Sequence, residues 1–310
     1  MVKKTKTPRN PPALMPGDKI ELVATAGPFS RASMEAGARI VKKMGFKPVW
    51  DEKVFQRKGF FAGSDEQRAR RLTRAFGNQE TRAIWCIRGG YGTFRMLRLI
   101  DRQLLDTCDK LVVGFSDVTS LLLSLSLDHG LVTIHGPVVT QLPRIPRTHI
   151  QWLKRLMTHP YPLGRIPLAR TKTLRRGCAD GILAGGNLSI LASLVGTGLI
   201  PSLKGCILFV EDVAESAYSI DRMWQQLLHS GTLDGVRAVV LGELTRCNPS
   251  GRGNWSARAV AERAIRELGV PAVSCGAFGH GEANIALAQG VRARLVAHER
   301  RVELLDRVVR

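Results

Sequence analysis

Three features of the sequence predict an α/β fold. Apolar runs of only four to seven residues recur along the chain, segments of helical period lie between them, and Gly, Pro, Ser or Asp stands at nearly every junction. Short buried strands alternating with helices specify a parallel sheet covered on both faces. Ligands of such sheets bind at the carboxyl ends of the strands. A length of 310 residues suits about two domains.

KIELVAT, Lys19 to Thr25, reads as the first strand, followed by a turn at Ala26-Gly27-Pro28. Ser30 can cap a helix running to Met44, with Gly45 as its stop. KPVW is the second strand. Ser64 to Gln67 has the spacing of a capping box, opening a helix that ends near Gly77. AIWCI (Ala83 to Ile87) is the third strand, followed by a glycine-rich turn and a helix through Leu99. KLVVGF is the fourth, with a helix from Asp117 to Asp128. LVTIH closes the series, with a further helix around His149 to Met157.

From Tyr161 to Ala179 prolines and basic residues replace any clean period, and this stretch reads as a linker. The unit beyond it has strands near 181–183, 206–210, 238–241, 272–275 and 293–296, with helices near 187–194, 220–229 and 257–268. The expected division is residues 1–160, a linker at 161–179, and a second domain at 180–310.

Composition narrows the function classes. The chain is 44% hydrophobic and 23% charged, an ordinary globular balance. No apolar run reaches the roughly 18 residues of a membrane span, and the basic opening lacks the apolar core of a secretory signal. A cytoplasmic location is expected, with no membrane partner. The six cysteines are scattered without a C-x-x-C pair and read as reduced thiols, neither a disulfide framework nor a zinc site. The net charge of +20 is spread from end to end, mostly as Arg on amphipathic segments, with no basic block or aromatic RNA-binding signature. This disfavours nucleic acid as a partner and fits a basic surface that draws in an acidic small substrate.

The chemistry concentrates at strand ends. In LVVGFSDVTS, Ser116 sits between a strand and a helix with Gly114 two residues before it. This is half of a G-x-S-x-G nucleophile elbow, with Val118 in place of the second glycine. Such a serine projects its hydroxyl from the sheet edge, and the Asp117 amide lies at a helix N-terminus suited to an oxyanion. Capping the helix is the alternative use of Ser116 or Asp117. A serine nucleophile needs a base, usually His held by a carboxylate. Of seven histidines, His135 in IHGP ends a strand, and His280 in AFGHGEAN is flanked by glycines after an apolar strand. Glu211 ends the apolar strand CILFVED, with Asp212 beside it and Glu215 just beyond. The turn RGGYGTFRML lacks the spacing of a phosphate loop; its glycines can bring an amide of Gly89 or Gly90 against an oxyanion.

These segments, in this order, resemble the LD-carboxypeptidase family, the serine peptidases that include the microcin C immunity hydrolases. The resemblance runs from LMPGDKIELVATAGP through FFAGSDEQRARRL, WCIRGGYGTFRMLRLID, GFSD, HGPVV, GILAGGNLSILASLVGT and LFVEDVAESAYSIDRMWQQL to FGHGEANIALAQGVRARL. It implies a flavodoxin-like (class I amidotransferase-like) N-terminal domain, a smaller C-terminal α/β domain and an active site between them. By motif, Ser116 is the nucleophile, His280 the base and Glu211 the triad carboxylate, with Glu215 as the fallback. Gly90 and Asp117 supply the oxyanion amides. Three positions depart from the family pattern. Phe115 stands where Tyr is usual, Ser219 where Arg is common, and Ala288-Gln289-Gly290 where Leu-Pro-Gly is common.

The resemblance implies a homodimeric serine hydrolase, with neither metal nor cofactor, that releases terminal D-Ala from murein tetrapeptide in cell-wall recycling. The scissile bond there joins the L-centre of diaminopimelate to D-Ala. A carboxypeptidase needs a cation for the substrate's terminal carboxylate, and Arg88 and Arg222 are the candidates. The nearest alternative keeps the triad and hydrolyses peptidyl-nucleotide antibiotics; Trp85 or Trp224 would then stack on the nucleobase. A different class of alternative is a non-catalytic basic nucleic-acid-binding or sensor protein on the same fold.

Overall fold

The computed structural model describes residues 8–247 and 255–310; the basic opening at 1–7 lies outside the described residues. The first sheet contains β1 (Lys19–Val23), β2 (Lys47–Val49), β3 (Ala83–Cys86), β4 (Leu111–Gly114) and β5 (Thr133–His135). All five are parallel, in the order 2-1-3-4-5. This is the flavodoxin-like winding, whose ligand crevice opens where the order reverses, between β1 and β3.

The second sheet is mixed. It uses β6 (Gly164–Arg165), β7 (Lys172–Arg175), β8 (Cys178–Asn187), β9 (Cys206–Val213), β10 (Ala238–Thr245) and β11 (Ala272–Ser274), followed by β13 (Val291–Val296) and β14 (Arg301–Leu304). The strands β8 to β11 run parallel, and β7 and β13 close on them antiparallel. The intervening β12 (Leu287–Gln289) crosses back to the first sheet and pairs antiparallel with β5.

Local chemistry explains the helix ends. Ser30 accepts the Ser33 amide at the head of helix Arg31–Lys43, and Ser64 with Gln67 forms the expected reciprocal box at the head of Asp65–Gly77. The helix expected over 117–128 is built in three pieces: a 3₁₀ turn at Ser116–Val118, α-helix at Thr119–Leu123 and a π turn at Ser124–Asp128. The π turn closes with the His129 amide on the Ser124 carbonyl, and the Ser126 hydroxyl bonds back to the Leu123 carbonyl, competing with the ladder there. The stretch 161–179, read as a linker, contributes β6 and β7 and begins β8. Its partly exposed basic side chains follow from its place at the sheet margins, which removes the alternation that marks a strand.

One apolar core passes through both sheets. Trp85 and Val113 share it with Leu183, Phe209, Val240 and Phe278. A second core lies under helices Ala217–His229 and Ala257–Leu268, around Trp224, Leu208 and Ile265. Among the described residues no helix is long and apolar enough to cross a membrane.

Candidate active site

Ser116 leaves the end of β4 with φ 61°, a left-handed conformation that L-residues rarely hold. Gly114 permits this turn. A Cβ there would lie 2.4 Å from the Val118 Cγ1, so Val118 fills the space the glycine leaves. The missing second glycine of the elbow motif is thereby explained: its position holds the side chain that packs on the first.

The structure brings three of the sequence-derived residues into one hydrogen-bonded chain. The Ser116 hydroxyl lies 2.9 Å from the His280 Nε2, and the His280 Nδ1 lies 2.7 Å from the Glu211 Oε2. Glu211 is fully buried, so its carboxylate fixes the tautomer: Nδ1–H donates to Glu211 and Nε2 accepts from Ser116. Glu211, rather than Glu215, makes this contact. The other Glu211 oxygen accepts from the Asn187 Nδ2 at 3.3 Å, and the same amide nitrogen reaches the Asp212 Oδ1 at 2.9 Å. Burial pushes the Asp212 carboxyl up to about 6, against the hydrogen bonds it accepts from Val213, Asn187 and Ser189.

Asn187 was not singled out from sequence. Its signal was the GGNLS pattern, in which Asn187 caps helix Leu188–Leu194 by accepting the Ile190 amide. Both glycines before it are structural. A Cβ on Gly185 would lie 1.9 Å from the Phe209 carbonyl oxygen, and one on Gly186 2.4 Å from the Thr119 Oγ1. The second contact brings the end of β8 against the helix that follows Ser116.

The glycine turn after β3 lies against the serine. A Cβ on Gly89 would sit 3.0 Å from the Ser116 Cβ and 3.3 Å from its Oγ. Gly90, the next residue, adopts φ 110°. The turn is held from below: the buried Asp117 carboxylate accepts the Thr93 amide at 2.8 Å, and burial pushes that carboxyl up. Arg68, also fully buried, donates to the carbonyls of Gly92 at 2.7 Å and Thr25 at 2.5 Å and pairs with Asp65.

His135, the other histidine at a strand end, plays no part in this chain. It is fully buried between the rings of Phe115 and Phe209, 5.0 and 5.1 Å away between centroids, with both ring nitrogens unpartnered. Burial, with a contribution from His280, pushes its imidazole down to about 3, so it is neutral. Phe115, the departure from Tyr, lies between the two histidines, with its ring 4.5 Å from that of His280.

Comparison with known proteins places the chain in a family. Residues 20–136 match the LD-carboxypeptidase N-terminal domain and residues 180–295 the LD-carboxypeptidase C-terminal domain. The chain belongs to the LD-carboxypeptidase family. It is 32% identical over 292 residues to the murein tetrapeptide carboxypeptidase of Pseudomonas aeruginosa, with 89% of this chain and 92% of that protein covered. It is also similar to the crystal structure of muramoyltetrapeptide carboxypeptidase from Oxalobacter formigenes, at a TM-score of 0.78 and 29% identity, covering 92% and 97% of the two chains. The microcin C7 self immunity protein MccF, solved with glutamyl sulfamoyl guanosine, shares the fold at a TM-score of 0.86 and 20% identity, covering 98% and 100%.

The remaining candidates of this LD-carboxypeptidase family member stand apart from the hydrogen-bonded chain. Arg88 precedes Gly89, is exposed and donates to the Pro28 carbonyl. Arg222 is exposed on helix Ala217–His229, with its guanidinium 5.7 Å from the Tyr218 ring centroid. Trp85 and Trp224 are fully buried, and Trp85 donates to the Pro137 carbonyl at 2.8 Å. Neither indole can stack on a nucleobase, which corrects that expectation; their apolar strand and helix positions bury them in the two cores. Ser219, in the place of Arg, lies with its hydroxyl 2.9 Å from that of Ser216, the cap of the same helix. Gln289 is buried in β12 and accepts the Gly185 amide at 3.2 Å.

Proposed function

We propose that this chain is a serine carboxypeptidase that cleaves the L,D bond of murein tetrapeptide and releases its terminal D-Ala. The observation that carries the reading is the unbroken hydrogen-bonded chain from the Ser116 hydroxyl through the His280 imidazole to the buried Glu211 carboxylate.

Ser116 attacks the carbonyl carbon of diaminopimelate while His280 Nε2 takes the hydroxyl proton. Glu211 stabilises the imidazolium that forms. The Gly90 and Asp117 amides hold the carbonyl oxygen as it gains charge, and the buried Asp117–Thr93 and Arg68–Gly92 hydrogen bonds keep the glycine turn in place without reorganisation. The tetrahedral intermediate collapses as His280 returns its proton to the departing nitrogen, and D-Ala leaves. Water, deprotonated by the same imidazole, attacks the acyl-serine and frees the tripeptide.

Likeness to murein peptidases at about a third identity along nearly the full length supports this substrate. The burial of Trp85 and Trp224 weighs against the peptidyl-nucleotide alternative. Mass spectrometry of murein tetrapeptide incubated with wild type and Ser116→Ala tests the reading. Loss of one alanine with wild type only is expected. Equal loss with both proteins contradicts the nucleophile, and loss with neither contradicts the substrate.

A further inference from the structure

A second charged pair lies against the loop that carries His280. Between β9 and β10 the register is regular through Val210 and Leu241, then shifts, so that Asp212 faces Leu244. Gly242 and Glu243 occupy the irregular step, and such a bulge re-aims a side chain at the edge of a site. The Glu243 amide donates to the Phe278 carbonyl at 2.9 Å, its carboxylate rests against Gly281, and its Cβ and backbone lie against Gly279. A Cβ on Gly281 would lie 2.0 Å from the Glu243 Oε2, and one on Gly279 3.0 Å from the Glu243 Cβ. The two glycines beside His280 therefore make room for Glu243.

The partner of Glu243 is Arg170, from the stretch between β6 and β7. Its Nη2 lies 3.3 Å from the Glu243 Oε1 and also donates to the Gly276 carbonyl at 3.1 Å. The arginine side chain is 74% exposed and the glutamate 22% exposed. Burial raises the Glu243 carboxyl and Arg170 only partly counters it. A long contact to an exposed guanidinium adds little against water. The pair thus lies beside the His280 loop with its arginine open to solvent.

We propose that Arg170 and Glu243 are specificity-determining residues that bind a zwitterionic side-chain terminus on the acyl side of the substrate. The inference rests on the murein-peptide reading. In that substrate the residue giving the scissile carbonyl is diaminopimelate, whose far carbon bears one ammonium and one carboxylate. The guanidinium takes the carboxylate and the Glu243 carboxylate takes the ammonium. One weak internal contact is replaced by two charge-assisted ones with no net charge brought in. A lysine at the same place offers only the ammonium and leaves Arg170 without its anion; a norleucine offers neither charge.

The test measures binding by calorimetry in a Ser116→Ala background, so that turnover does not enter. The probes are three L-Ala-γ-D-Glu-X-D-Ala tetrapeptides with X meso-diaminopimelate, L-lysine or L-norleucine. The diaminopimelate peptide is expected to bind about tenfold or more tighter than the norleucine peptide. Adding Arg170→Met should erase its advantage over lysine, and Arg170→Lys should restore part of it. Adding Glu243→Gln should weaken the diaminopimelate and lysine peptides together. Equal affinity for all three peptides, or preferences unmoved by either substitution, overturns the proposal. D-Ala release by the unsubstituted enzyme is assayed separately. Its absence contradicts the murein reading, whereas a binding preference that Arg170→Met removes still supports the pair.

Discussion

Ser116 carries strain that the proposed chemistry would use. A non-glycine residue at φ 61° costs about 1–3 kcal/mol, and the cost is met by the packing of β4 and the turn around it. Ser116→Gly should therefore unfold at a higher denaturant concentration than wild type while losing the proposed D-Ala release; a less stable variant would show that the turn is not strained. His135 gives a second prediction. Its imidazole is held down at about 3 from an ordinary 6.5, so its contribution to stability is fully present above pH 6.5 and is lost as pH falls from there through about 3. His135→Phe should flatten the acid limb of stability over that window, measured by denaturant titration at pH 7 and pH 4; an unchanged slope contradicts it. The sequence marks Ser116 and His280 through their turn residues, which are local signals. It favours Glu211 as the strand-end carboxylate but leaves Glu215 open, because both lie within the family-like segment LFVEDVAES. What separates them is that Glu211 lies within β9 and is fully buried, where a carboxylate must find a partner.

The glycine turn after β3 works as one element. Its far end is pinned by Asp117 and Arg68, and its near end lies against Ser116. Gly89 does not have positive φ, so alanine there meets no backbone penalty; its methyl would press on the serine at 3.0 Å. Gly89→Ala should lower kcat/KM for the proposed D-Ala release by about tenfold or more and change stability by less than about 1 kcal/mol. Full activity in this variant would mean the turn is not held against Ser116. At this scale the sequence is most readable where a cap or glycine adjoins a periodic run, as at Ser30 and Ser64. It is least readable at β6, β7, β12 and β14, two to four residues long, which owe their form to distant partners and not to their own pattern. The glycines around His280 could be seen as special, but their use could not, because Glu243 lies almost forty residues earlier.

The two sheets share one core, and the segment before β1 is laced to the last residue as well: the Ala13 amide bonds the Arg310 carbonyl, and the Arg310 amide bonds that of Pro11. Heating should therefore give one cooperative transition, with calorimetric and van't Hoff enthalpies in agreement; two resolved transitions would contradict this. Composition suggests separable halves because it registers only the change of texture at 161–179. Strand pairing between β12 and β5, some 150 residues apart in the chain, leaves no such trace. That pairing has a mechanical result. The segment bearing His280 starts from β11 in one sheet and ends in β12 in the other, like a plank nailed at both ends. Drawing the two sheets apart around His280 would therefore have to break the pairing of β12 with β5 or pull the His280 segment out of line.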